Sequence, residues 1–149
     1  MRIIETQIDI AATASRVWQI LTDFPAYSDW NPFITEIAGR PEQGARLRAR
    51  ICPPGRSAMT IKPIILVAAR EWELRWRGRF IVPGLFDGEH GFQIRTHGRS
   101  CRFHQSERFT GILVTAVGNG LFDAVQQGFE EMNAALKLRA EAVSYIRAS

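Results

Sequence analysis

The stretch that decides the fold is LFDAVQQGFEEMNAALKLRAEAVSYI, residues 121–146. Its apolar side chains recur every three or four positions, which is the spacing of one face of an α-helix. They are Phe122, Val125, Phe129, Met132 and Leu136. We therefore predict one amphipathic helix of about six turns, long enough at about 1.5 Å per residue to cross a small domain. No other predicted helix is long enough to cover it, so its partner must be a sheet.

The segment before this helix has the period of β-strands. From about residue 33 to residue 111, short strand-like runs are separated by glycine and proline turn signals. The runs are ITEIA, ARLRARIC, AMTIKPIILVAA, REWELRWRGRF, EHGFQIRTH and RSCRFHQSERFTG. Because short loops join them and no long helix intervenes, they favour an antiparallel meander over a parallel sheet.

The first part of the chain adds a strand and one or two short helices. Residues 3–10 alternate apolar and polar side chains, as a half-buried strand does. Thr13 can cap the helix that follows, and Pro25 ends it near Phe24. A second short turn is expected around residues 26–30. The predicted fold class is α+β, with about six or seven antiparallel strands and the long helix last.

The composition is that of an ordinary globular protein. Of the 149 residues, 46% are hydrophobic and 23% are charged, and one domain over residues 1–149 is expected. The N-terminus has no apolar stretch long enough for a signal peptide. No run approaches the roughly 18–20 apolar residues that cross a bilayer. We therefore expect a cytoplasmic protein without integral membrane contact. Cys52 and Cys101 lie outside any CxxC spacing and are expected to be free thiols.

The excess of basic residues does not indicate a nucleic-acid partner. The chain has 19 Lys and Arg against 15 Asp and Glu. Arginines alternate with apolar residues in two runs, residues 46–51 and 74–79. That pattern is typical of the solvent face of a sheet. Phosphate binding is the alternative interpretation of the same charge.

Three segments resemble one known superfamily. They are IDIAATASRVWQILTDFPAYSDWNPFI (8–34), GEHGFQIRTHGRSCRFHQSERFTGIL (88–113) and GFEEMNAALKLRAEA (128–142). Together they resemble the first strand and helix, the paired later strands and the final helix of small bacterial proteins of the START/polyketide-cyclase (SRPBCC) superfamily. The resemblance implies a helix-grip fold, in which a curved antiparallel sheet wraps round the long C-terminal helix. It also implies a cavity between sheet and helix, used by lipid and hormone binders and by aromatase/cyclases.

Strand alternation and the helical period together predict which side chains face such a cavity. For each of them, filling a solid core is the alternative role, because burying an aromatic side chain contributes about 2–3 kcal/mol by itself. The predicted ligand-binding residues are Trp72, Trp76, Phe80, Phe92, Phe103, Gln105, Glu107, Phe109, Phe122, Val125, Phe129 and Met132. Met59 and Ile61 are expected on the same inner surface.

Glu107 is the most informative of these residues. It should face inward between two phenylalanines, where an unpaired carboxylate is costly. We expect it to pair with Arg or His, to meet water in the cavity, or to stay protonated. His90 and Gln105 are its expected polar neighbours, and Glu107 with His90 are the candidates for acid–base catalysis. A structural hydrogen bond is the alternative for either one.

Other site chemistry finds little support. The histidines His90, His97 and His104 are seven residues apart, so alternation turns neighbours in the series to opposite faces and away from one metal ion. The sequence has no GxSxG, HExxH, GxxxxGK[ST] or complete GxGxxG motif. We therefore expect no metal and no cofactor.

Three functions remain open. The first is a non-enzymatic carrier, a monomer or homodimer, that binds a small apolar or amphipathic molecule. The second is a cyclase, aromatase or dehydratase that uses the same cavity. The third is a protein-interaction module with an exposed patch, unless the aromatic residues of that patch cap the cavity mouth instead. They are Phe24, Tyr27, Trp30 and Phe33.

Overall fold

The computed structural model describes residues 1–79, 84 and 86–148, with side chains as far as residue 142. The strands are β1 (Arg2–Ile10), β2 (Ile34–Ala38), β3 (Arg48–Ile51), β4 (Met59–Ile61), β5 (Ile64–Ala69), β6 (Glu73–Arg79), β7 (Asp87–His97) and β8 (Ser100–Thr110). The α-helices are α1 (Ala14–Thr22), α2 (Tyr27–Trp30) and α3 (Asn119–Ala148), and a 3-10 turn spans Phe24–Ala26. None of the helices described combines the length and apolar character that a bilayer crossing requires.

The strands form two antiparallel sheets. The larger has five strands in the order β1-β8-β7-β6-β5, and the smaller has three in the order β2-β3-β4. The first strand of the chain therefore pairs with the last, and β1 and β5 are the edges of the large sheet. This arrangement, with α3 lying against β1 and β8, is the α+β helix-grip fold that the resemblance implied, and it confirms the predicted fold class.

The division into two sheets was not predicted. The run AMTIKPIILVAA was interpreted as one strand, but it divides at Pro63 into β4 and β5, which belong to different sheets. Proline has no backbone N–H to donate to a neighbouring strand. Its carbonyl still accepts a hydrogen bond from Leu47 N at 2.8 Å, so the two sheets stay joined at the break.

The apolar face of α3 is buried as its spacing predicted. Phe129, Met132 and Leu136 have no exposed surface, and Phe122 and Val125 are also buried. The helix begins at Asn119, just before the stretch chosen from the sequence. The cap at Thr13 is present as well, since its hydroxyl oxygen accepts a hydrogen bond from Arg16 N at 3.1 Å.

One prediction about aromatic side chains was wrong. Trp72 does not face inward: it lies in the turn before β6 and is 61% exposed. Alternation is interrupted there, because Glu71 has the left-handed backbone conformation (φ 62°) of a tight turn. The alternative of a docking patch is not supported either, because Phe24, Tyr27 and Phe33 are each at most 2% exposed and Trp30 is half-buried.

Candidate functional site

The site is a cavity of about 370 Å³ between the small sheet, the start of β7, the end of β8 and the start of α3. Its walls are predominantly apolar. The lining residues are Phe33, Ile51, Pro53, Met59, Thr60, Ile61, Phe86, His90, Glu107, Phe109, Leu113, Val117, Leu121 and Val125. Polar side chains are few among these residues: the hydroxyl of Thr60, the imidazole of His90 and the carboxyl of Glu107.

The predicted ligand-binding residues divide into two groups. Glu107, Phe109 and Val125 line the cavity, together with the catalytic candidate His90. The others that the structure describes, apart from Trp72, are buried but lie away from the cavity wall: Trp76, Phe92, Phe103, Gln105, Phe122, Phe129 and Met132. Phe80 lies outside the described residues. The role of all of them in binding stays a prediction.

The sequence interpretation missed much of the wall. Ile51 ends β3 and Pro53 follows it, Phe86 precedes β7, and the loop between β8 and α3 contributes Leu113 and Val117. A signal for that loop was present, because GILVTAVG, residues 111–118, is unusually apolar for a connection. An apolar loop that is partly buried is expected to cover an apolar region of the protein, and this loop covers the cavity.

The pairing of β6, β7 and β8 brings the polar residues of the site together. Trp76 lies opposite His90, and His90 lies opposite Glu107, in one row across the large sheet. Phe92 and Gln105 are opposite each other in the next row. Side chains of opposed residues on one face of an antiparallel sheet are in contact range, so the register alone brings imidazole, carboxyl and amide side by side.

His90 and Glu107 form a buried pair. Nδ1 of His90 lies 3.4 Å from Oε2 of Glu107, and the two side chains are 4% and 11% exposed. A buried carboxylate without a partner is costly, so Glu107 was expected to need one. His90 is that partner. The second oxygen of Glu107, Oε1, has no hydrogen-bond partner in the described part of the chain.

A chain of hydrogen bonds continues from His90 to the first strand. Nε2 of His90 lies 2.9 Å from Oε1 of Gln105, whose Nε2 donates to Oδ1 of Asn133 at 2.7 Å. Asn133 donates in turn to the hydroxyl of Thr6 at 2.9 Å. The chain therefore links β7, β8, α3 and β1, and it satisfies polar groups that would otherwise be buried without partners.

Aromatic rings hold the imidazole in place. The centroid of the His90 ring lies 4.5 Å from that of Phe92, 4.9 Å from that of Phe129 and 5.3 Å from that of Trp76. These contacts leave the ring little rotational freedom, because closely packed side chains cannot turn without displacing their neighbours. Trp76 and Phe92 thus support the site from behind without lining it.

Comparison with known proteins agrees with this geometry. The model of the family described as polyketide cyclase / dehydrase and lipid transport matches residues 1–141, and the chain belongs to that family. No curated protein matches the sequence.

Solved structures show the same fold. A START superfamily protein from Mycobacterium smegmatis is similar at 20% identity with a TM-score of 0.75, covering 95% of this chain and 98% of that one. An aromatase/cyclase from Streptomyces sp. R1128 is similar at 19% identity with a TM-score of 0.67, covering 94% and 93%. A hypothetical protein from Helicobacter pylori is similar at 14% identity with a TM-score of 0.76, covering 93% and 88%.

Proposed function

We propose that the protein binds a small apolar or amphipathic molecule in the cavity between the sheets and α3. The observation that carries the proposal is a cavity of about 370 Å³ with predominantly apolar walls. That volume falls in the range of roughly 300–1,000 Å³ that is common for ligand pockets. A ligand that fills this space buries apolar wall surface and stabilises the folded state to which it binds. Residues 1–149 are taken as one binding unit that needs no metal and no cofactor.

A Val125→Trp variant tests the proposal. Val125 lines the cavity from α3, so an indole in its place should fill the space that a ligand needs. The probe is N-phenyl-1-naphthylamine, an uncharged molecule whose fluorescence rises in apolar surroundings. The wild type should bind one equivalent, and we expect Val125→Trp to lose at least about tenfold in affinity.

Leu138→Trp is the matched control. Leu138 lies on the same helix but is 72% exposed, so its replacement adds an indole without entering the cavity. This variant should bind the probe as the wild type does. Stoichiometric binding that Val125→Trp leaves unchanged, in a variant that unfolds cooperatively on heating, would contradict the proposal.

One observation favours a second function, an enzyme of the cyclase, aromatase or dehydratase type. The His90–Glu107 pair lies on the cavity wall and could exchange protons with a β-hydroxy carbonyl compound. One group would remove the proton from the carbon beside the carbonyl while the other protonates the departing hydroxyl, releasing water and leaving a conjugated carbonyl. Turnover of such a compound that survives both Glu107→Gln and His90→Ala would exclude these two residues as the acid and base.

A further inference from the structure

We propose that the cavity selects an uncharged molecule whose polar group is a hydrogen-bond donor, an alcohol or a phenol, and that this group donates to Oε1 of Glu107. The inference rests on the proposed binding function and names the chemistry of its ligand. The inference depends on which atoms donate and which accept in the hydrogen bonds behind the cavity wall. Backbone carbonyl oxygens determine these roles, because they can only accept.

Two backbone carbonyl oxygens set those roles. A carbonyl oxygen only accepts, so the hydroxyl of Thr6 donates to Gln105 O at 3.2 Å. For the same reason the side-chain atom of Gln105 that faces Phe129 O, at 3.5 Å, is its NH₂ group. The side-chain oxygen of Gln105 must then be the atom 2.9 Å from Nε2 of His90. Nε2 of His90 therefore keeps its hydrogen and donates it to Gln105.

The assignment of Nε2 determines what lies between His90 and Glu107. Nδ1 of His90 faces Oε2 of Glu107 at 3.4 Å, and two lone pairs would repel each other across that distance. A pair with a single proton between its two facing atoms avoids this repulsion, whether the proton lies on the imidazole or on the carboxyl group. Its net charge is zero in both forms. In both forms Oε1 of Glu107, a residue that lines the cavity, also remains an acceptor.

These constraints distinguish between ligand head groups. A carboxylate would place its oxygens against an acceptor and bring a negative charge into an apolar cavity, where the described lining residues offer no other ionisable side chain. An ammonium group would donate but would leave its positive charge uncompensated beside a neutral pair. A hydroxyl group donates to Oε1 and adds no charge. The cavity walls cover the rest of the molecule.

Three probes of one skeleton test the inference at pH 7: 2-naphthol, 2-naphthoate and 2-methylnaphthalene. Isothermal titration calorimetry on the wild type gives the three affinities. We expect 2-naphthol to bind about tenfold more tightly than 2-methylnaphthalene, as one net hydrogen bond allows. Because of its charge, 2-naphthoate should bind more weakly than either of the other two.

Two variants of Glu107 locate the effect. Glu107→Leu removes the acceptor and should abolish the preference for 2-naphthol over 2-methylnaphthalene while both still bind. Glu107→Gln is the matched control: its NH₂ group can donate to Nδ1 of His90 while its oxygen stays toward the cavity, so the preference should persist. Circular dichroism checks that each variant is folded.

The outcomes separate the inference from the proposed function. If none of the three probes binds the wild type, binding of small apolar molecules in this cavity is itself contradicted. If the probes bind but 2-naphthoate equals or exceeds 2-naphthol, the selection of a neutral donor is wrong and the binding function stands. A preference for 2-naphthol that persists in Glu107→Leu would place the head group elsewhere in the cavity.

Discussion

Gly128 determines the position of one cavity wall at the scale of a single residue. It lies on the buried side of α3, and the ring of Phe33 occupies the space where a Cβ atom would be. Phe33 lines the cavity and packs edge-to-face on Phe129, with ring centroids 5.4 Å apart. The absence of a side chain at residue 128 therefore lets Phe33 lie against the helix and out of the cavity.

A Gly128→Ala substitution should move Phe33 toward the cavity. We expect weaker binding of N-phenyl-1-naphthylamine, by about tenfold or more, because the ring takes up ligand volume. The gain in helix propensity, about 1 kcal/mol, partly offsets the cost in stability. Fluorescence titration and thermal unfolding measure the two effects separately. Gly118→Ala is the control, because a Cβ atom at Gly118 meets no neighbour within 4 Å. Unchanged binding in Gly128→Ala would show that Phe33 does not limit the space.

Sequence reasoning at this scale predicted orientation better than position. Alternation along β8 identified Phe103, Gln105, Glu107 and Phe109 as inward-facing, and all four are buried. It could not tell which of them reach a cavity, because that depends on where along the strand the helix begins to diverge from the sheet. Only Glu107 and Phe109, near the end of β8, border the space. The bond from Gln105 to Asn133 was likewise out of reach, because it joins residues 28 positions apart.

At the scale of elements, α3 is tied to the start of the chain by a small polar cluster. Lys137 Nζ donates to Asp9 O at 2.9 Å, and Ala11 N donates to Oε1 of Glu141 at 2.9 Å. Lys137 and Glu141 also form an ion pair at 2.6 Å. The hydrogen bond from Lys137 lowers the pKa of Glu141 below its usual value of 4.5, and the bond from Ala11 N adds to the effect.

A Glu141→Gln variant should show the pH dependence that this shift implies. A carboxyl group whose pKa is lower in the folded state stabilises the fold above its unfolded pKa and loses that contribution as pH falls through the folded value. We expect the variant to be less stable than the wild type at pH 7, by less than about 1 kcal/mol because the pair is partly exposed. The difference should shrink below about pH 4. Urea denaturation at several pH values measures it. A difference that is constant with pH would contradict this role.

The break between β4 and β5 shows what sequence reasoning at the element scale left out. Lys62 and Pro63 stand in the middle of the run that was interpreted as one strand. The hydrophobic pattern continued across them, yet a proline cannot donate to a central ladder. Two strands would have been predicted if the missing backbone N–H of Pro63 had been given more weight than the hydrophobic pattern of the run. That weighting would not have predicted that β4 joins a separate sheet, since β4 pairs with β3 and β5 with β6.

At the scale of the whole molecule, the fold was predictable and the cavity was not. The order of strands and helices, with the resemblance, was enough for the helix-grip architecture. The cavity depends on how the small sheet, an apolar loop and α3 meet. Residues from all three line it, among them Ile51, Leu113 and Leu121. No local sequence pattern predicts how these three segments pack together, because each one alone has the pattern of ordinary core.

The thiol of Cys101 should report on unfolding of the whole molecule. Cys101 lies in β8, between β1 and β7, and is 1% exposed. Burial raises its pKa to about 11, so little thiolate forms near neutral pH. With 5,5′-dithiobis(2-nitrobenzoic acid) at pH 8, we expect one fast equivalent from half-buried Cys52 and a second that appears only as the protein unfolds.

Denaturant separates the two reactions. The slow reaction should accelerate in proportion to the unfolded fraction measured by circular dichroism, while the fast one should not. Cys52→Ser should remove the fast equivalent alone. A fast equivalent that persists in this variant would show that β8 opens locally, without global unfolding.

The pairing of the first strand of the chain with the last has a consequence for synthesis on the ribosome. Thr6 and its partner Gln105 are 99 residues apart, and Asn133, which holds both, is 127 residues from Thr6. At about 5–20 residues per second, the N-terminal strand waits roughly 5–20 s before β8 is translated. During that interval its ladder groups are unpaired, a state that invites association with other chains. Nascent-chain chaperones are therefore expected to matter most for the earliest segment of this protein, and its cavity is completed only when the last helix docks.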